Sequence, residues 1–378
     1  MALILNEEQQ LLKETAEGFF ADKAPVSALR KLRDDKSDTA FDPALWQEMA
    51  EMGFAGLLID EDSGGTGFGY VGAGIVAEAM GRNLSASPFF ASTIMAASLI
   101  KVAGSAEQKA LLLPAIAAGE TVATFAVDES GSHSPEMVAM GAESSSGKYV
   151  LNGLKTFVPD GGNASQYLVL ARTSGGAGDA EGLSLFIVDR RANGLIVDTT
   201  VMADSRNWAK LTFENVELDA DALVGVEGEG MRHLEAVLDR ARVVIAAELL
   251  GISQECLDRT VSYLQERKQF GVLIGSFQAL QHRAAVLYSE IEITRSAVLK
   301  ALQIADTDAD MAKLASLVKA KASKTAELAT NEALQMHGGI GMTDEFDIGF
   351  FMKRARVLQA LYGDYNYHAD RYARCSGF

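Results

Sequence analysis

Apolar positions along this chain follow a helical rhythm at both ends and a strand rhythm in the middle. Near the start, Leu11, Leu12, Thr15, Ala16, Phe19 and Phe20 recur at helical spacing, and Asn6 with Gln9 three residues later has the form of a capping box. Further helices are predicted over residues 43–52, 70–80, 91–103 and 106–118, with Gly104 and Gly119 as stops. The Gly-rich stretch at 62–69 is a loop between two of them.

From about residue 120 the period shortens. Residues 149–153 predict a strand entering a turn at Gly153, and 167–171, 183–188, 195–197 and 210–213 are short apolar or β-branched runs punctuated by Gly, Asn and Asp. Residues 173–182, rich in Gly, Ser and Ala, are expected to form a mobile surface loop. Helical spacing resumes after Gly230 in segments at about 231–267, 277–303, 310–338 and 345–375, with breaks at Phe270-Gly271 and at 338–341. No short-period repeat is visible, which argues against a solenoid. The order predicts an α+β chain: an all-α domain over 1–119, a small antiparallel β domain over 120–226 and a C-terminal four-helix bundle over 227–378. A length of 378 residues also exceeds what one hydrophobic core normally serves.

Composition narrows the chemistry. A formal net charge of −17 argues against nucleic acid or an anionic membrane surface as partner, while leaving room for a phosphorylated ligand held by local basic groups. The two cysteines, Cys256 and Cys375, imply no disulfide framework; Cys256 falls in a helical pattern as a small core residue. No apolar run reaches the length of a membrane span, and the acidic N-terminus lacks the basic start of a leader, so a cytoplasmic protein is expected. The five histidines show no metal-ligand spacing, and no Ser-His-Asp or Cys-His arrangement stands out, so no metal is expected.

Two C-terminal stretches then carry a specific resemblance: Arg267-Lys-Gln-Phe270-Gly271 followed by Phe277-Gln278, and Gln335-Met-His-Gly338-Gly339-Ile-Gly341. With Asn6-Glu-Glu-Gln-Gln-Leu-Leu, the 60–67 loop and Tyr149-Val-Leu-Asn-Gly-Leu-Lys155, each in its place, the chain resembles the acyl-CoA dehydrogenase family over essentially its whole length. The resemblance implies FAD at a dimer interface, one subunit cradling the ring with its β domain and the neighbour gripping the adenosine and pyrophosphate. It further implies oxidation of an acyl-CoA to the α,β-enoyl thioester. A carboxylate takes the α-proton, the β-hydride leaves to flavin N5, and electron-transfer flavoprotein is the acceptor. A homo- or hetero-oligomer built as a dimer of dimers goes with it.

By the same resemblance Arg267, Phe270, Gln278, Gln335 and Gly339 hold a partner's FAD, the arginine through charge-assisted bonds to pyrophosphate. On the receiving side Phe125, Val127, Ser134 and Phe157 are placed to line the flavin. That side departs from the family: Asp128 stands for a threonine, adding negative charge beside the ring, and Pro159 offers no donor near N5. The base is altered too. Tyr362-Gly363-Asp364-Tyr365 replaces Tyr-Glu-Gly-Thr, and the alternative location holds Ala241 ahead of Arg242. Asp364 is the nearest carboxylate, displaced by one residue and one methylene short; Asp239 is a second candidate, and Arg242 is expected to order the site. The bland reading of Asp364 is a helix cap. Donation intact and reception damaged is what a non-catalytic partner subunit would show, and Gly338 to Gly341, Tyr362 to Asp364 and His368 resemble the heteromeric dehydrogenases of steroid and other bulky acyl-CoA esters.

Overall fold

The computed structural model describes residues 3–145, 147–179, 181–307 and 309–378. Six helices open the chain: α1 (Glu7–Lys23), α2 (Val26–Asp34), α3 (Pro43–Glu51), α4 (Gly69–Asn83), α5 (Ala97–Ala103) and α6 (Ala106–Ala117). Strands follow: β1 (Ala123–Ala126), β2 (Gly141–Ser145), β3 (Lys148–Pro159), β4 (Gln166–Arg172), β5 (Leu183–Asp189), β6 (Leu195–Val201), β7 (Asn207–Asp219) and β8 (Leu223–Val224). Then come α7 (Gly230–Glu266), the two-residue strands β9 (Lys268–Gln269) and β10 (Val272–Leu273), α8 (Gln278–Ala305), α9 (Ala312–His337), α10 (Ile348–Ala360) and α11 (Tyr365–Cys375). The helix–sheet–helix order holds, and so does the capping box: the Asn6 side chain accepts from the Gln9 amide while Gln9 reaches back to the Asn6 amide.

Two compact units form. The first gathers the N-terminal segment up to Lys31, Tyr70–Ala86 and Arg242–Phe378; the second gathers Leu32–Gly69 and Ser87–Ala241. In the first, α4 meets α7 backbone to backbone. A Cβ on Gly81 would lie 2.2 Å from the Glu248 carbonyl oxygen, and one on Gly251 would lie 2.0 Å from that of Glu78. Only glycine permits that approach. A buried Arg354–Glu248 pair, at 2.7 and 3.1 Å, joins α10 to α7. Arg283 donates to Glu332, joining α8 to α9.

The second unit is built on an eight-stranded sheet of order β6-β7-β3-β2-β4-β5-β8, with β1 on β4. It is mixed, since β1 runs parallel to β4; the purely antiparallel domain expected is corrected accordingly. Gly153 does not turn the chain. β3 runs on through it to Pro159, and the register shift between Leu151 and Gly153 is taken up on β7, where Glu214 and Asn215 stand opposite Asn152. A second shift, between Lys155 and Val158, carries Thr156 and Phe157.

Other differences have local causes. Residues 345–375 are two helices, because Tyr362 and Gly363 adopt positive φ and Asp364 starts a new helix as its N-cap. Residues 91–103 begin as a π-helical stretch over Phe90–Ala96 before α5. Helix α2 and strands β1 and β2 are additional, each too short to build a period of its own. The 173–182 loop is not loose. Arg172 donates to the carbonyls of Ser174, Asp179 and Glu181 within it and to Glu136 and Val138 beside it; Ala180 lies outside the described residues. Cys256 is buried on α7, where desolvation pushes its thiol up and keeps it unreactive, and Cys375 is free and exposed. No helix among the described residues is long and apolar enough to cross a membrane.

Candidate functional site

One face of the first unit gathers the residues assigned to cofactor donation. Arg267 follows α7 and is exposed, as are Gln278 at the start of α8, Gln335 in the last turn of α9, and Gly339. Beneath them Tyr263 stacks on His337 at 4.5 Å, and Phe346 closes on both at 6.2 and 4.8 Å. Tyr263 also accepts the Arg267 amide through its carbonyl, so this aromatic floor ties the end of α7 to the end of α9. Between β9 and β10 the turn residues Phe270 and Gly271 both have positive φ, 54° and 81°, as a two-residue I′ hairpin requires. Phenylalanine is a poor choice there, and its ring is 91% exposed. It meets the Phe277 ring edge-on at 6.3 Å. Around Gly338 and Gly339 no atom stands within 4 Å of where a Cβ would sit, so backbone is open to close approach. An exposed arginine, an exposed ring and bare backbone suit a nucleotide diphosphate.

The Tyr362-Gly363-Asp364 turn, in the same unit, has a different character. Tyr362 has φ 52° and Gly363 φ 110°. Three buried side chains hold its carbonyls: Arg242 Nε donates to Tyr362 O at 3.1 Å, His368 Nε2 lies 3.2 Å from the same oxygen, and Lys319 Nζ donates to Gly363 O and Gln359 O at 3.0 Å each. Burial pushes Lys319 down to about 7, with Arg242 adding to the effect and Asp364 opposing it. A neutral amine retains two N–H donors, which match the two carbonyls. Burial, then Lys319, Arg242 and Arg371, push His368 down to about 2, so the ring is neutral and its Nε2 carries the proton toward Tyr362 O. Asp364 is exposed, and its Oδ1 accepts the Tyr367 amide at 2.8 Å as the cap of α11. Arg242, expected to order the site, is buried and holds the Tyr362 carbonyl of this turn. Ala241 is buried without any polar group, and Asp239 is buried in the second unit.

Lysine 319 was not visible as a site residue. Its signal is a charge inside an apolar stripe, one turn from Ala315 and Ala322. Because its folded value lies below the ordinary lysine value, its contribution to stability is complete above the ordinary value and is lost as pH falls through about 7. Stability should therefore rise with pH between these limits. Lys319→Met should flatten that slope and lower stability by about 2–4 kcal/mol, since two buried carbonyls lose their donor. Urea midpoints at pH 7 and pH 9 for both proteins check this; parallel pH slopes would refute it.

In the second unit, the receiving residues divide. Phe125 and Val127 are 1% and 2% exposed, so their side chains belong to the sheet core and only backbone remains to face a ligand. Ser134 is half-buried and Phe157 is 47% exposed at φ 52°, lifted out by the β3 bulge and set edge-on to Trp208. Asp128 does not present a bare charge: its carboxylate lies 3.0 Å from His133 Nδ1 and accepts the Ser134 amide at 3.4 Å. Pro159 sits in β3, where its carbonyl accepts from Thr124 Oγ1.

Lys155 is another buried charge, and it shares the inward parity of Tyr149 and Leu151. It donates to Val127 O at 2.9 Å and to Glu129 Oε1 at 2.8 Å, and burial, opposed by Glu129, pushes it down to about 8. Glu129 also accepts the amides of Ala139 and Met140. Glu129→Ala, by leaving Lys155 buried without its counter-charge, should cost about 3–5 kcal/mol in chemical denaturation. A loss below about 1 kcal/mol would refute this role. No group of three or more potential metal ligands occurs among the described residues.

Three family profiles match in order: Acyl-CoA dehydrogenase, N-terminal domain over residues 6–120, middle domain over 124–216 and C-terminal domain over 228–376. The chain is 33% identical over 318 residues to the probable acyl-CoA dehydrogenase FadE25 of Mycobacterium tuberculosis, covering 82% of this chain and 81% of that one. It is 28% identical over 376 residues to the bovine (Bos taurus) mitochondrial short/branched chain specific acyl-CoA dehydrogenase, covering 98% of this chain and 85% of that one. Among solved structures, a chain of "Tcur3481-Tcur3483 steroid ACAD G363A variant" superposes with a TM-score of 0.88 at 30% identity, covering 98% of each chain. With the helix–sheet–helix order, these matches identify the chain as a member of the acyl-CoA dehydrogenase family of oxidoreductases, whose fold binds FAD.

Proposed function

We propose that this chain serves the α,β-desaturation of an acyl-CoA thioester as the subunit that completes the FAD site of a paralogous, catalytic dehydrogenase chain. One observation carries the proposal: Gly363 stands in the family's glutamate position and cannot carry a side chain in this turn. A Cβ there would lie 2.4 Å from Tyr367 Cδ1 and 2.8 Å from His368 Nε2. A general base must reach the proton it removes. Asp364, the nearest carboxylate, is instead spent on capping α11.

The donated face fits the opposite role. Arg267 would take the pyrophosphate, Phe270 and Gln278 would pack and hydrogen-bond the cofactor, and Gln335 with Gly339 would admit the nucleotide along bare backbone. FAD held there supplies the hydride acceptor, N5, for the neighbour's substrate. The receiving side fits less well, with Phe125 and Val127 in the core and Asp128 engaged by His133. Exposed Val286 and Ile293 on α8, with Tyr288 between them, suit association through this unit into a dimer of dimers. Electron-transfer flavoprotein as acceptor, a steroid-type or other bulky acyl-CoA as substrate, and a reducing cytoplasmic setting belong to the same proposal.

The competing reading is a self-sufficient homo-oligomer with Asp364 as base, favoured only by the closeness of that carboxylate to the family position. The visible spectrum of the isolated protein separates the two. The proposal expects a colourless chain that becomes yellow on co-expression with a paralogue; a yellow protein bleached by an acyl-CoA would overturn it. Asp364→Ala should cost about 1 kcal/mol as a lost cap and leave turnover of the mixed complex unchanged. Abolished turnover would restore Asp364 as base.

A further inference from the structure

A cleft of about 590 Å³ lies within the second unit, contains none of the residues assigned above, and is lined by Arg33, Lys36, Asp38, Arg190, Ser205 and Asn207 among others. Its volume falls in the range of small-molecule sites. Three features make it more than a surface depression. First, it gathers three cations against one carboxylate on a chain whose formal net charge is −17. Arg33 is partly neutralised by its neighbour Asp34 at 2.6 Å, and Arg190 is held in place by the carbonyls of Gly161, Gly162 and Ala164 and the Tyr167 hydroxyl. Lys36 is exposed.

Second, backbone strain concentrates here. Lys36 and Ser205, on the lining, and Ala40 and Asp160, next to it, have φ of 52°, 64°, 53° and 52°. They are four of the nine left-handed non-glycine residues among the described ones. Each costs on the order of 1–3 kcal/mol and persists because surrounding structure imposes it. The imposing groups are visible: Asn163 Nδ2 donates to Thr39 O at 2.6 Å and Asn207 Nδ2 donates to Asp38 O at 2.5 Å, pinning the loop after α2. Third, Asn207 is 3% exposed and its Oδ1 has no hydrogen-bond partner. A buried acceptor left unsatisfied is expensive, and a donor delivered by a ligand would satisfy it.

We infer that this cleft is a binding site for a small phosphorylated molecule, its phosphate held by Lys36 and Arg190 and a hydroxyl of the same molecule donating to Asn207. Calorimetric titration of the full chain with ribose 5-phosphate and, separately, with inorganic phosphate tests it. Saturable binding is expected for both, with ribose 5-phosphate about tenfold tighter because only it supplies the hydroxyl. Lys36→Gln, at an exposed position, should weaken both about tenfold without altering the thermal midpoint. Arg267→Gln should leave both unchanged, which separates this cleft from the proposed cofactor face. Absence of saturable heat with either compound, equal affinity for the two, or loss in Arg267→Gln but not in Lys36→Gln would each overturn the assignment.

Discussion

Gly363→Glu should not create a dehydrogenase; it should unsettle the C-terminal helices and leave the chain without turnover. The substitution has two costs. The backbone at φ 110° is one that side-chain-bearing residues rarely adopt, and the new Cβ would overlap the Tyr367 ring at 2.4 Å. That ring cannot retreat freely: the Arg242 guanidinium lies over it at 5.5 Å, and Arg242 and His368 both fasten Tyr362 O. Moving it therefore loosens three buried contacts together. A loss of about 3–5 kcal/mol is expected, the size of a severe overpacking or strain mutation. Gly363→Ala should move the same way by a smaller amount. Thermal midpoints of the isolated proteins measure this; a glutamate variant that melts with the wild type, or turns over an acyl-CoA, would refute both the steric argument and the role built on it.

The second large effect is on cofactor retention. Arg267→Gln should lower FAD affinity of the assembled complex about 100-fold while leaving this chain's stability unchanged. Charge-assisted bonds from a guanidinium to a diphosphate are worth about 1.5–3 kcal/mol each, and two at the low end of that range correspond to a factor of this order. Stability should be spared because the Arg267 side chain is exposed and its backbone, not its guanidinium, completes the helix end through Tyr263 O and Ile274 N. Fluorescence titration of FAD into the co-expressed complex gives the affinity. Unchanged retention would mean that this face grips nothing.

Much of the architecture was legible from spacing alone. The 3.6-residue period of the terminal thirds, the short runs of the middle and the Asn6–Gln9 box each depend on interactions within a few residues, so local sequence suffices. The misreadings share one cause, which is that longer-range contacts overrule local preference. Gly153 looks like a turn, but β3 pairs with β7 on both sides of it, and the extra residue of the local bulge lies on β7. The Gly/Ser-rich 173–182 stretch looks mobile, but a single arginine from β4 collects its carbonyls. Phe125 and Val127 were assigned by motif position, which says nothing about which way a side chain faces.

The sequence by itself determined the family and the order of helices and strands, and it put forward the residues proposed for donation, because those depend on residue type at fixed spacing. Only the tertiary structure decided that Gly363 has no room for a side chain, that Asp364 caps a helix, that Lys319 and Lys155 are buried and hold loops in place, and that Asn207 Oδ1 is unsatisfied beside a cleft lined by Arg33, Lys36 and Arg190. Gly363 and Asp364 meet Tyr367 and His368 close by in the chain, through a turn at positive φ, whereas the Lys319, Lys155 and Asn207 contacts are distances between residues far apart in the chain. Such distances are set by packing of the whole fold, and no local pattern encodes them.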